Sequence, residues 1–349
     1  MPARMSLATI QPRRILLIKP SALGDVVHTL PILRLLRRRF PVAHIAWLID
    51  PAFANLIEGH PDLNEIIPFR KKHYAQSWRD RAAAADLFSF KGDLRDRRFD
   101  LAIDLQGLFR SAWLAFYSGA PVRVGFGNAR EMSPFFYTHR VPVRNLEVHA
   151  IDRYAALAAA LGCAPGPLEF DFATTDADRT QLCRRAENCG LSLDGGGRAV
   201  LLPGTNWETK KWPLKHFEAL VPMLRDRFGL ASIVAGGPDA PAIAGARSLV
   251  GQTTLKQLVA LLERADVVIA NDTGPMHIAS ALGRPLVSVF GPTNPVRTGP
   301  YKRMDSVVRL NVACSPCYSR KCSHQSCLQW LTAEMVCDRV AVALAAGHK

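Results

Sequence analysis

Val267-Val-Ile-Ala-Asn-Asp-Thr-Gly-Pro-Met-His-Ile-Ala-Ser-Ala-Leu-Gly-Arg-Pro-Leu-Val-Ser-Val-Phe-Gly-Pro-Thr293 is the stretch from which the fold of this chain is read. The four apolar or small residues 267–270 predict a short buried strand, and Asn271, Asp272, Thr273 and Gly274 end it. Pro275 suits the first turn of a helix, where its missing N–H leaves nothing unpaired, with Thr273 or Gly274 as the cap. A second apolar strand is expected at 285–290. Strand, tight turn and helix start, in that order, put free N–H groups and the positive end of a helix dipole at the carboxyl edge of a sheet. An anion such as a diphosphate is favoured there. The same pattern also describes a capped helix that holds nothing.

Working outward, the pattern recurs. Residues 14–19 read as an apolar strand, Pro20 to Gly24 as a turn, and Asp25 as the start of a helix with Val26, Val27, Leu30, Leu33 and Leu36 on its apolar face. Further strands are expected at 44–49, 63–68, 99–107 and 123–126, with a helix at 111–117. Proline and glycine crowd the stretch 162–174 and mark a connection. Beyond it the series resumes: strand 199–202, loop 203–213, helix 214–228, strand 231–235, helix 255–264. Alternating strands and helices predict an α/β protein with doubly wound parallel sheets. Two Rossmann-like domains are expected to face a central cleft: 1–173, which would bind an acceptor, and 174–328, which would bind a nucleotide-sugar. A terminal helix in 329–349 is expected to pack back on the body, with Val336, Val340, Val342 and Leu344 among its apolar positions.

The 349 residues are 48% hydrophobic and 21% charged, which is an ordinary globular composition, and no apolar run reaches the length of a membrane span. The N-terminus lacks the apolar core of a signal peptide, so a cytoplasmic protein is expected. A formal net charge of +14, spread over both halves, favours an acidic substrate, an anionic membrane surface or nucleic acid. Nucleic acid is not expected, since no recognition module is visible. A Walker-type phosphate loop is absent. The G-x-G at Gly125-Phe126-Gly127 lacks a third glycine, which argues against an NTPase or a dehydrogenase.

Several clusters carry chemistry. Lys19, Ser21 and Asp25 stand at the end of the first strand, where Asp25 can act as a general base or merely cap the helix. Thr205, Asn206, Lys210 and Lys211, flanked by Trp207 and Trp212, offer the hydroxyls, amide and ammonium groups that a phosphate needs, or form a solvated loop. Arg70, Lys71, Lys72 and Arg130 follow turns in the first half and suit an anionic acceptor. Cys314, Cys317, Cys322 and Cys327 fall within fourteen residues, a density with metal-ligand character although the spacing is not that of a common zinc knuckle. A structural zinc is the leading expectation for them, reduced thiols the alternative.

With these pieces in place the chain resembles the ADP-heptose:lipopolysaccharide heptosyltransferases of glycosyltransferase family 9. The likeness rests on Lys19-Pro-Ser-Ala-Leu-Gly-Asp-Val-Val-His-Thr-Leu-Pro31 and Asn271-Asp-Thr-Gly-Pro-Met-His277. Asp104-Leu-Gln-Gly-Leu-Phe-Arg-Ser111 and Val289-Phe-Gly-Pro-Thr293 agree with it. The resemblance implies a GT-B fold and an inverting transfer of heptose from ADP-heptose to the Kdo region of Kdo-lipid A, with no cofactor or metal required for catalysis. It implies that Asp25 deprotonates the acceptor hydroxyl. It further implies that Thr205, Asn206, Lys211, Asp272, Thr273 and Gly274, with His277 closing the same motif, hold the donor. Ser21, Arg70, Lys71, Lys72 and Arg130 would meet the acidic acceptor, and the enzyme would sit peripherally on the inner face of the inner membrane. One departure touches the nucleotide: where the family tends to carry a glutamate for the ribose, this chain has Asp239 and then Ala240. The alternatives are a transferase that adds the second heptose or uses another donor, and a non-catalytic protein that binds nucleotide-sugar or lipopolysaccharide.

Overall fold

The first apolar run forms β1 (Arg14–Ile18), whose residues 15–18 are fully buried, as a strand covered on both faces must be. It belongs to a computed structural model that describes residues 6–143, 145 and 147–347. The chain divides into two units, Met1–Ala173 and Thr174–Lys349. In the first unit, β2 (His44–Ile49), β3 (Glu65–Pro68), β4 (Leu101–Asp104), β5 (Val122–Phe126) and β6 (His139–Val141) complete the sheet. Every pairing is parallel, in the order β3-β2-β1-β4-β5-β6. The chain winds outward from β1 to β3, then returns to the other side of β1 with β4. Between β1 and β4 the strand order reverses, and a crevice opens at the carboxyl ends there.

The second unit repeats this plan with β7 (Arg198–Leu202), β8 (Ala231–Val234), β9 (Arg247–Ser248), β10 (Val267–Asn271), β11 (Leu286–Val289) and β12 (Val307–Val308). Its order is β12-β11-β10-β7-β8-β9, again parallel throughout, so the reversal lies between β7 and β10. Two doubly wound parallel sheets bear out the expected α/β class and its GT-B composition of two Rossmann-like units. The core of this unit joins Leu201, Ile269 and Val287 from the strands to Phe217 and Leu224 of the helix Leu214–Phe228.

Some elements differ from the sequence reading. The first helix is Leu23–Arg39, so Asp25 is its third residue rather than its cap. The helix Arg81–Asp96 was not expected. Asp80 caps it, with Oδ1 accepting from the Ala82 N–H over 2.9 Å; Ala83 and Leu94 are buried on it, and Leu87 and Phe90, half-buried, pack against the core of the first unit. The helices Ala150–Ala160 and Asp176–Asn188 were also missed. The terminal helix is Ala333–Gly347. Val336, Cys337 and Val340 enter the core of the second unit, whereas Val342 faces outward.

Candidate functional site

In the first unit the crevice between β1 and β4 holds a linked set of charges. Lys19, the residue after β1, is buried. Its Nζ lies 3.4 Å from Asp25 Oδ1 and donates to the Leu105 carbonyl over 3.2 Å. The Trp47 indole N–H holds the Lys19 carbonyl at 3.1 Å, and the ammonium sits 4.9 Å from the centre of the Tyr154 ring. Tyr154 donates its hydroxyl hydrogen to Asp25 Oδ1 over 2.9 Å, while the Ala22 N–H donates to Oδ2 over 3.2 Å. The latter bond runs from the third helical residue back to the cap, as in half a capping box. About a third of the Asp25 side chain, 34%, remains open to solvent, so a substrate can reach it.

Burial alone would push the Asp25 carboxyl up. The Lys19 charge and the bonds from Tyr154, Ala22 and Lys19 together outweigh it and hold the carboxyl below its ordinary value. Burial pulls the Lys19 ammonium down, with Asp25 and Asp104 partly restoring it. Tyr154 is driven well above a normal phenol, first by burial and then by Asp25, so its proton stays in place.

Asp104, at the end of β4, is fully buried and accepts four hydrogen bonds. They come from Tyr137 at 2.7 Å and Ser111 at 2.8 Å, and from the backbone of Gln106 and Gly107 at 2.8 and 3.1 Å. Burial raises its carboxyl in spite of them. Gly125 on β5 makes room for this arrangement: a Cβ there would run into the Tyr137 ring. Its glycine is explained by packing and not by a nucleotide.

Next to Ser21 lies a cavity of about 180 Å³ lined by Lys71, Gln106, Arg110, Ser111 and Glu131, among others. The Gln106 Oε1 is buried without a hydrogen-bond partner, so the cavity offers an unfilled acceptor beside two cations. Of the residues expected to meet the acceptor, Ser21 and Lys71 share this space. Arg70 lines a second cavity of about 250 Å³ and lies 3.7 Å from Asp86. Lys72 and Arg130 are exposed and line neither.

In the second unit the reversal between β7 and β10 is equally ordered. The Asn271 side chain accepts from the Trp212 N–H at 3.2 Å and donates to the Pro203 carbonyl at 2.7 Å, pinning both ends of the loop that follows β7. Asp272 is buried, and its Oδ2 lies 2.7 Å from Lys210 Nζ and accepts from the Thr293 hydroxyl at 2.6 Å. The Thr205 hydroxyl points its hydrogen at the Asp272 carbonyl over 3.4 Å. Thr273 caps the helix Gly274–Ala281 without a side-chain cap bond, with proline in the first turn. His277 is buried on that helix. Asn206 and Asp239 are exposed. Lys211 pairs at 2.6 Å with Glu208, itself well exposed, so the structure brings Lys210 rather than Lys211 to Asp272. Trp207 carries two cations near its ring, Lys210 at 4.6 Å and Arg320 at 4.5 Å.

Arg320 belongs to the cysteine loop. That loop is tied down by Ser315 to the Gly291 carbonyl at 2.6 Å, by the Cys317 and Tyr318 N–H groups to Pro292, and by Thr209 to Ser319. Cys314 and Cys317 are exposed, Cys322 half-buried and Cys327 buried, all with free thiols. Burial pushes the Cys327 thiol up, and the other three cysteines add to it. Among the described residues no three His, Cys, Asp or Glu side chains are grouped to hold a metal ion.

Tyr154, Asp104, Gln106, Arg110 and Thr293 extend the set of residues given a role from sequence. Lys210 and Lys211 are both phosphate candidates by sequence, being chemically alike, and only the loop conformation separates them.

The chain has relatives among known proteins. The family model described as "Glycosyltransferase family 9 (heptosyltransferase)" matches residues 87–328. The chain is 32% identical to lipopolysaccharide heptosyltransferase 1 of Pseudomonas aeruginosa over 323 residues, covering 89% of this chain and 88% of that one. It is 31% identical to lipopolysaccharide heptosyltransferase 2 of Escherichia coli (strain K12) over 324 residues, covering 85% and 88%. The solved structure of the E. coli heptosyltransferase WaaC with ADP-2-deoxy-2-fluoro heptose superposes with a TM-score of 0.73 at 27% identity, covering 94% of this chain and 99% of that one. On the family match and these relatives, the chain belongs to glycosyltransferase family 9, the heptosyltransferases.

Proposed function

We propose that the protein transfers heptose from ADP-heptose to a Kdo residue of Kdo-lipid A with inversion at the anomeric carbon and without a divalent cation. The observation that carries this reading is the Asp25 carboxylate. Its Oδ1 is taken up by Lys19 and Tyr154, whereas Oδ2 holds a single backbone hydrogen bond of 3.2 Å. Oδ2 is therefore the oxygen with a lone pair to spare. In the step proposed, it takes the proton of the acceptor hydroxyl as that oxygen bonds to the anomeric carbon, and the bond from that carbon to the diphosphate oxygen breaks to release ADP.

The leaving diphosphate gains negative charge and needs fixed positive groups. Lys210, held by Asp272, and the first turn of the helix Gly274–Ala281 supply them, with Thr205, Asn206, Lys211 and Thr273 completing the grip. In this scheme Asp272 positions Lys210 and does not itself touch the donor. The donor's adenine and heptose are inferred from the relatives, among them the enzyme solved with an ADP-heptose analogue. On the acceptor side, the cavity beside Ser21 joins Lys71 and Arg110 to Gln106, whose buried Oε1 lacks a hydrogen-bond partner, which suits an acidic sugar bearing hydroxyls. The substrate is lipid-linked, so the enzyme would work peripherally on the inner face of the inner membrane; no helix among the described residues is long and apolar enough to cross one.

Incubation with ADP-heptose and Kdo-lipid A tests the reading: one heptose added to Kdo, with release of ADP, is expected. The similarity to heptosyltransferase 2 supports a second reading, in which heptose is added to an existing heptose. Product only on a heptosylated acceptor would select it. ADP binding without transfer to either acceptor would leave a non-catalytic binding protein.

A further inference from the structure

A belt of aromatic side chains interleaved with cations crosses the outside of the first unit. On the helix Arg81–Asp96, Phe88 is 76% exposed, and Lys91 lies 5.9 Å from its ring centre. The same ammonium sits 5.2 Å from Trp113 and 4.8 Å from Tyr117 on the neighbouring helix Phe109–Tyr117. From there the rings continue. Tyr117 meets Phe116 at 5.9 Å, Phe116 meets Phe136 at 6.0 Å, and Phe136 meets Phe109 at 5.4 Å. Phe135 and Met132, in and beside the same short turn, are 72% and 69% exposed. Two more cations are set among these rings, Arg123 at 5.6 Å from Phe116 and Arg140 at 5.6 Å from Phe135.

Isolated exposed apolar residues need no explanation, but a connected series does. Large rings alternating with long cationic side chains match the boundary of a bilayer, where the rings enter the headgroup region and the cations meet lipid phosphates. The molecule's net charge of +14 has the same sign. The belt is also continuous with the cavity beside Ser21. Leu108 and Arg110, which line that cavity, flank Phe109, and Glu131, which also lines it, precedes Met132.

We propose that this belt is the surface by which the protein docks on an anionic lipid bilayer, so that the acidic headgroup sugar of a lipid-anchored acceptor enters the cavity while its lipid stays in the membrane. The cavity half of this statement rests on the acceptor reading given above. The docking half stands on the belt alone.

The test is co-sedimentation of the full chain with vesicles of phosphatidylglycerol mixed with phosphatidylcholine, against vesicles of phosphatidylcholine only. The wild type and the double variant Phe116→Ser/Phe135→Ser are compared, both positions being half or more exposed. The wild type is expected to bind the anionic vesicles, to bind the neutral ones much less, and to release in high salt. The double variant should bind the anionic vesicles more weakly by about tenfold or more, from loss of two buried rings, with unchanged ADP affinity and melting temperature. Equal binding by variant and wild type, or no binding by the wild type, overturns the proposal. So does a lipid-free dimer that the double substitution dissociates, which would assign the belt to a second copy. Failure of ADP-heptose turnover with vesicle binding intact would instead remove the acceptor reading and leave the docking surface standing.

Discussion

Tyr154 reaches Asp25 across 129 residues of sequence and gives its hydroxyl hydrogen to the same carboxylate oxygen that Lys19 approaches. Two donors on one oxygen leave the other for the substrate and fix the carboxylate as an anion. Because the Asp25 carboxyl lies below its ordinary value, the proposed base is ionised throughout the neutral range. The acid limb of kcat/KM assigned to Asp25 should fall at a pH below the usual carboxylate range.

Tyr154→Phe removes one of the interactions that hold this value down, so the folded-state value rises. The acid limb should move to higher pH, with the plateau rate falling less than tenfold. Lys19→Met removes the largest of them and should move the limb further. A pH profile that is unchanged in both variants would detach Lys19 and Tyr154 from the base.

Lys210 and Lys211 differ in what holds them. Lys210→Ala should weaken ADP binding by about tenfold or more, the scale of a lost charge-assisted hydrogen bond. Asp272→Asn, which frees Lys210, should weaken it in the same direction. Lys211→Ala is expected to cost less, since its exposed pair with Glu208 leaves it loosely placed. Calorimetric titration with ADP ranks the three, and a larger loss for Lys211→Ala would reverse the assignment.

Gln106→Ala and Arg110→Ala should raise KM for the Kdo acceptor by about tenfold each while ADP affinity stays the same, because both side chains line the cavity of the first unit. Steady-state kinetics with the acceptor varied decides this. A weakened ADP titration instead would move both residues out of the acceptor site.

Asn271 is fully buried and bridges Trp212 to Pro203. Asn271→Ala leaves two backbone groups without partners and should cost about 2 kcal/mol, or about 4–8 °C in melting temperature. ADP affinity should fall with it, as the loop loses both anchors. A thermal melt alongside an ADP titration checks the coupling.

Catalysis is assigned here to fixed cations and a helix turn, so treatment with EDTA should leave initial rates unchanged. A rate lost to the chelator and restored by magnesium or manganese would show that a metal shares the work.

Much of the fold was visible in the chain because the central strands are apolar on both faces and end in polar turns. Runs such as 14–18 and 267–270 admit few other structures. The helix Arg81–Asp96 is harder to read because its inner face, Ala83, Leu87, Phe90 and Leu94, is narrow, and Ala82, Ala84, Ala85 and Phe88 outside it blur the contrast. The site was visible where chemistry and spacing coincide, as at Asp25 and at Asn271 to Gly274. It was not visible where packing brings distant residues together. Tyr154 sits on an unexpected helix, and Tyr137, which closes on Asp104 together with Ser111, comes from 33 residues further along the chain. The choice between adjacent lysines likewise depends on the path of a loop, which composition does not record.

In the proposed reaction Asp25 Oδ2 accepts the proton of the attacking hydroxyl. Asp25→Asn keeps the size and removes the charge, so single-turnover transfer from ADP-heptose to Kdo-lipid A should slow by about a hundredfold to ten-thousandfold. ADP titration should give the wild-type affinity. Transfer within a few-fold of the wild-type rate, with ADP binding intact, would contradict the account.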